Sequence, residues 1–184
     1  MCLIIDTNLK TKQIMEVLEK EKSRKMKTFR KLGFSSVETN DVVKSLNLLL
    51  ANYQVHYQKL RDFHWNVTGP DFFDLHEQFE VEYNAVKANI DDIAERIRVF
   101  GKTPISTMKE YLETSTIQEA DRGVGADQMV AQILNDFETL MEFMIEAIEA
   151  SNKIGDTSTT DMITKMMKRM EKRHWMLTAF SKNN

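Results

Sequence analysis

Two histidines and three carboxylates have the types and spacing that could do chemistry in this chain. His64 lies six residues before Pro70 and His76 six after it. An antiparallel helical hairpin turning at Thr68-Gly69-Pro70-Asp71 would therefore set both imidazoles at one level. Beyond His76 come Glu80, Asp91 and Glu95. At 100° per residue, positions 76, 80, 91 and 95 fall at roughly 0°, 40°, 60° and 100°, one narrow face of a helix. Imidazole and carboxylate without thiolate make a hard-to-borderline donor set that suits Fe(II), Mn(II) or Zn(II). The same helix sets a limit. His76 and Glu95 are nineteen residues apart, roughly 28 Å at ~1.5 Å per residue, whereas metal–ligand bonds are about 2 Å long. One chain cannot wrap these groups around one ion, but two chains can. A two-fold axis near Ala85–Val86 would set His64, His76 and Glu80 of one copy against Asp91 and Glu95 of another. Small Ala85 and Ala88 would allow the close approach, and an isologous dimer would hold two equivalent sites.

The elements that must position these groups follow from apolar periodicity. Ser35-Ser36-Val37-Glu38 reads as a capping box, Ser followed three residues later by Glu. From there Val42, Leu46, Leu49, Tyr53, His56, Leu60 and Phe63 step by three and four, the stripe of a helix lasting to about Asn66. A second helix is expected over about 72–100, with Phe72, Leu75, Phe79, Tyr83, Val86, Ile90, Ile93, Ile97 and Phe100 inside, and Gly101 and Pro104 ending it. A short helix is expected near 107–112. A third long one is expected over about 127–152, with Met129, Ile133, Phe137, Leu140, Met144, Ala147 and Ile148 inside. A fourth is expected over about 159–181, capped by Ser158 with Asp161, and with Met162, Met166, Met170, Leu177 and Phe180 inside. Four long helices with one longer middle connection make an all-α four-helix bundle with a crossover carrying a short extra helix, the ferritin-like arrangement.

Composition agrees. The 184 residues are 42% hydrophobic and 29% charged, ordinary for a globular protein, and the 6 glycines and 2 prolines are too few for the many turns of a sandwich, barrel or doubly wound sheet. The single Cys2 excludes an internal disulfide framework or a thiolate metal cluster within one chain. No apolar run approaches the ~20 residues needed to cross a bilayer, so no membrane partner is expected. Met1–Asp6 lacks the basic region of a secretory signal, and a cytoplasmic protein is the expectation. The net charge of −3 hides an asymmetry: residues 1–31 hold nine Lys/Arg against four acids, and the remainder sixteen against twenty-four. Residues 1–34 thus read as a basic arm on an acidic body, residues 35–184. Met26 is a second plausible translation start, which would remove most of the arm.

His64-Trp65-Asn66-Val67-x-Gly69, Phe73-x-Leu75-His76-Glu77 and Asp91-x-x-Ala94-Glu95-Arg96, with Gly101 closing the helix, resemble the Dps family, the miniferritins. Trp175-Met176-Leu177-x-Ala179-Phe180 is similar to that family's ending, and the likeness covers about residues 37–181. The resemblance implies a hollow dodecamer built from two-fold dimers, with an iron-oxidising centre at each two-fold interface and a ferric mineral inside. Position by position it carries over His64, His76, Glu80, Asp91 and Glu95 as ligands, although the family usually has Asp where this chain has Glu80. The implied reaction oxidises Fe(II) to Fe(III), with hydrogen peroxide preferred over dioxygen. Trp65, beside the site, would quench a stray oxidising equivalent by losing an electron. Zinc is a candidate substitute metal. Acids near the last inter-helix turn, here Asp156 and Asp161, line iron-entry pores in the family; on their own they are also ordinary helix caps, and both roles can coexist.

Other features read more plainly. His56, eight residues before His64 and roughly 12 Å away along the helix, is expected to support the site or fill the core. Asp92 is expected to be solvated. Glu171-x-x-His174 matches one half of an intrasubunit di-iron motif, which would suit a monomeric di-iron oxidase or electron carrier. That design needs two such motifs, and this one sits among Lys168, Arg169, Lys172 and Arg173, so it reads as a solvated face. The methionines read as adaptable core. Lys22, Arg24, Lys25, Lys27, Arg30 and Lys31 make DNA a candidate partner through phosphate contacts. A DNA-coating nucleoid protein that needs no redox chemistry is therefore the alternative function.

Overall fold

The computed structural model describes Met15 and residues 33–182. The chain falls into two units, residues 1–39 and residues 40–184. The basic arm residues and Cys2 lie outside the described residues. In the first unit, the backbone N–H of Ser35 donates to Glu38 Oε2 at 2.7 Å, and the N–H of Glu38 donates to Ser35 Oγ at 3.2 Å. That is the expected reciprocal capping box, closed around a turn that precedes the helix start at Asn40.

The second unit contains α1 (Asn40–Asn66), α2 (Phe72–Val99), the short α3 (Met108–Thr114), α4 (Ala126–Ile154) and α5 (Thr157–Ser181). Helix α1 packs against α2, α3 and α4, and α4 packs against α5. All seven apolar-stripe positions of α1 from Val42 to Phe63 are buried, as are Leu75, Phe79, Val86, Ile93 and Ile97 of α2. Leu140 and Met144 of α4, with Met166 and Met170 of α5, complete the same core. No described helix is long and apolar enough to cross a membrane.

Helix ends show where local chemistry departs from the expected caps. Gly101, at φ 73°, and Gly155, at φ 72°, adopt the left-handed conformation that ends α2 and α4 without a Cβ clash. Asp71 occupies the start of α2, but its side chain makes no capping bond. The last helix begins two residues earlier than expected. Its cap is Asp156, whose side chain accepts from the N–H of Thr159, rather than Ser158 with Asp161.

The crossover is pinned to α1 by two asparagines. Asn47 Oδ1 accepts from the N–H of Ile105 at 3.0 Å. Asn52 Oδ1 accepts from the N–H groups of Thr116 and Ile117 and from the hydroxyls of Ser115 and Thr116, at 3.0–3.1 Å. A loop crossing a helix bundle must satisfy its backbone donors, and one buried amide oxygen does so for this corner.

Candidate metal centre

The α1–α2 hairpin brings His64 and His76 together. Their rings stack with centroids 3.8 Å apart and 23° between planes. Each ring is held by the other residue's backbone. His64 Nδ1 donates to the carbonyl oxygen of His76 at 2.7 Å, and His76 Nδ1 donates to the carbonyl oxygen of His64 at 2.8 Å. A carbonyl only accepts, so both Nδ1 atoms carry hydrogen. In the neutral ring each Nε2 then holds a lone pair, the state a metal ligand needs. Phe72 stacks on His76 from the helix start, with centroids 5.1 Å apart. Two preoriented nitrogen donors therefore stand side by side where the hairpin turns.

Glu80 is exposed on α2, one turn beyond His76. Its Oε1 accepts from the phenol of Tyr83 at 3.2 Å. Tyr83 itself lies edge-on to His64, centroids 5.4 Å apart. Burial first, and the adjacent Glu80 carboxylate second, raise the pKa of this phenol above its ordinary value. Trp65 is 57% exposed, with the Arg61 guanidinium 4.7 Å from its ring centroid. Asp91 and Glu95 are exposed farther along α2. Among the described residues of one chain, no three His, Cys, Asp or Glu side chains converge as a metal site.

The two pore candidates separate. Asp156 is 2% exposed, its Oδ1 bound to Arg96 Nη2 at 2.6 Å and its Oδ2 to the hydroxyl of Thr159. Burial alone would raise its pKa, but the bonds from Arg96 and Thr159 outweigh that and hold it below the usual carboxylate value. The cap role expected of Asp156 is thus present, with its carboxylate enclosed by a guanidinium and a helix start. Asp161 is 65% exposed and pairs with Lys165 at 2.6 Å.

His56 belongs to the core. It is fully buried, its Nδ1 is 2.9 Å from Asp136 Oδ2, and Lys59 Nζ donates to Asp136 Oδ1 at 2.8 Å. His174 Nε2 meets Glu138 Oε1 at 3.3 Å on the surface, and Glu171 is exposed. The sequence reading missed the bonds that fasten α2 to α5. Buried Glu82 takes two bonds from Arg169 and one from Arg173, at 2.8–3.0 Å. The signal was present, since Glu82 occupies an inward position between Phe79 and Val86, where a carboxylate must find a partner.

Comparison with known proteins agrees with this architecture. A family model described as a ferritin-like domain matches residues 43–183. DNA protection during starvation protein 2 of Bacillus anthracis is 43% identical over 139 residues, covering 76% of this chain and 95% of that protein. The crystal structure of Dps from Staphylococcus aureus superposes with a TM-score of 0.75 at 41% identity, covering 77% of this chain and 95% of that one. Dps from Vibrio cholerae O1, described as a member of a broad superfamily of ferritin-like diiron-carboxylate proteins, superposes with a TM-score of 0.79 at 31% identity, covering 81% and 94%.

Proposed function

Because this chain belongs to the Dps family of ferritin-like proteins, we propose that it is a miniferritin that oxidises Fe(II) to Fe(III) and stores the product as ferric mineral inside a hollow dodecamer. Each site is shared. His64, His76 and Glu80 come from one copy, and Asp91 and Glu95 from a second copy related by a two-fold axis across α2. The observation that carries the reading is the crossed pair of imidazole–carbonyl bonds, which holds two stacked rings in the tautomer that leaves a lone pair on each Nε2. Nitrogen and carboxylate donors without sulfur fit iron as substrate and also admit zinc.

Hydrogen peroxide is the preferred oxidant. Two Fe(II) ions each give one electron to one peroxide, which takes up two protons and leaves as two waters, so no hydroxyl radical is released. The protein's part is to hold and orient the two ions. Trp65, exposed beside His64, gives up an electron to any oxidant that escapes this pairing. Asp161, exposed near the start of α5, belongs to the path by which ferrous ions enter. The protein works in the cytoplasm.

The test is anaerobic loading with Fe(II) followed by a peroxide pulse, on the natural protein and on His64→Ala and Glu95→Ala. Both substitutions are expected to slow Fe(III) formation severely. Unchanged initial rates in both would remove the assignment.

DNA coating is a second reading, motivated by the nine Lys/Arg of residues 1–31 and by relatives named for DNA protection. The acidic body opposes it. Retention of DNA that falls with salt and disappears without residues 1–31 would support it, and a full-length particle that ignores DNA at low salt would exclude it.

A further inference from the structure

We infer that Tyr83 is a positioning residue, whose phenol restrains the Glu80 carboxylate one helical turn beyond His76 and so narrows the directions from which it can meet a metal ion. The inference rests on the metal-site reading above. Glu80 is exposed on α2, and a solvated glutamate has a flexible side chain whose carboxylate samples many directions. Tyr83, three residues on, donates to Glu80 Oε1 at 3.2 Å. A carboxylate has two oxygens, so this bond leaves Oε2 for an ion.

The phenol is itself restrained. Its ring stands edge-on to His64, with centroids 5.4 Å apart and an 82° interplanar angle, and edge-on to Tyr57 at 6.1 Å and 83°. The Arg61 guanidinium lies 5.4 Å from the Tyr57 ring centroid. Tyr83 is therefore braced against α1 by its ring and bonded along α2 by its hydroxyl. One side chain touches two of the three donors that a copy brings to one site, and it couples the placement of Glu80 to that of His64. Partners of this kind, bonded to a ligand rather than to the metal, commonly change metal affinity by about 10–100-fold when removed.

The experiment titrates the full-length metal-free protein anaerobically with Co(II), whose visible absorption reports coordination geometry. The natural protein is compared with Tyr83→Phe, Glu80→Asp and the double variant, with His64→Ala and Glu80→Ala as references. Tyr83→Phe keeps the ring and its packing, and unchanged thermal unfolding would verify that. It is expected to weaken Co(II) binding about tenfold and to alter the visible band. In the Glu80→Asp background, where the carboxylate is withdrawn by one methylene, the same change is expected to add less than about twofold. Unchanged affinity and spectrum in Tyr83→Phe, with binding still lost in His64→Ala, would overturn the role of Tyr83 and leave the metal site standing. Equal losses in both Glu80 backgrounds would also overturn it, because the effect would not pass through the carboxylate. Binding that survives both His64→Ala and Glu80→Ala would overturn the site and the positioning role together.

Discussion

His64 and His76 hold each other's rings through their backbones: the Nδ1 of each donates to the main-chain carbonyl of the other, at 2.7 and 2.8 Å. Neither bond needs a third side chain. The hairpin that brings the two residues level therefore also selects their tautomers. This predicts how metal enters. On addition of Zn(II), the Nδ1–H protons of both rings should persist in nitrogen-15 NMR spectra, and the Nε2 resonances should shift. Loss of the Nδ1–H signals on metal binding would show that the crossed bonds break and that the assigned donor atoms are wrong.

The buried group of His56, Lys59 and Asp136 gives a stability prediction. Asp136→Ala leaves Lys59 buried without its counter-charge and His56 Nδ1 without its acceptor, so it should cost about 3–5 kcal/mol in chemical denaturation. Replacing all three together, by His56→Phe, Lys59→Met and Asp136→Leu, should cost far less, because no charge is left stranded. If the single and triple variants lose equal stability, the group does not act as a charge-balanced unit.

The helices were legible because burial imposes a period. All seven stripe positions of α1 are buried, and a stripe of that length has few other physical solutions. His64 and His76 were legible because a tight turn makes their level a matter of counting residues from Pro70. What stayed hidden depends on the third dimension. Nothing local to Asn52 says that its oxygen takes four donors from a loop more than sixty residues away. Tyr83 read as one more stripe residue, yet it lies at the edge of the core with its hydroxyl outside. Asp156 read as a cap from its place before the last helix, but nothing local to it announces the approach of Arg96, sixty residues earlier.

Asp156 also carries a pH dependence whose sign follows from its partners. Arg96 and Thr159 hold the folded carboxyl below its ordinary value of 3.8. The stabilisation is therefore fully present above that value and disappears as pH falls through the lower, folded one. Asp156→Ala should cost about 2–3 kcal/mol at neutral pH, from the lost helix cap and the charged bond to Arg96. Thermal unfolding of the two proteins should converge as the pH is taken well below the ordinary carboxyl value of 3.8. A gap that stays constant down the whole acid range would mean that ionisation of Asp156 contributes nothing.

The shared site makes a stoichiometric prediction that no intrasubunit site can match. His64→Ala and Glu95→Ala each disable every site in a particle made of one variant alone. In a mixed dimer, one site combines both defects, and the other combines the intact histidines of one chain with the intact carboxylates of its mate. Random pairing of equal amounts makes half of the dimers mixed, so about one quarter of all sites should recover. Co-expression of the two variants, followed by Fe(II) loading and a peroxide pulse, should therefore restore about a quarter of the natural initial rate per chain, while particles of either variant alone remain slow. Recovery requires that His64 and Glu95 act on the same ions from different chains. Co-assembled particles as inactive as the parent variants would mean that both residues serve a site within one polypeptide.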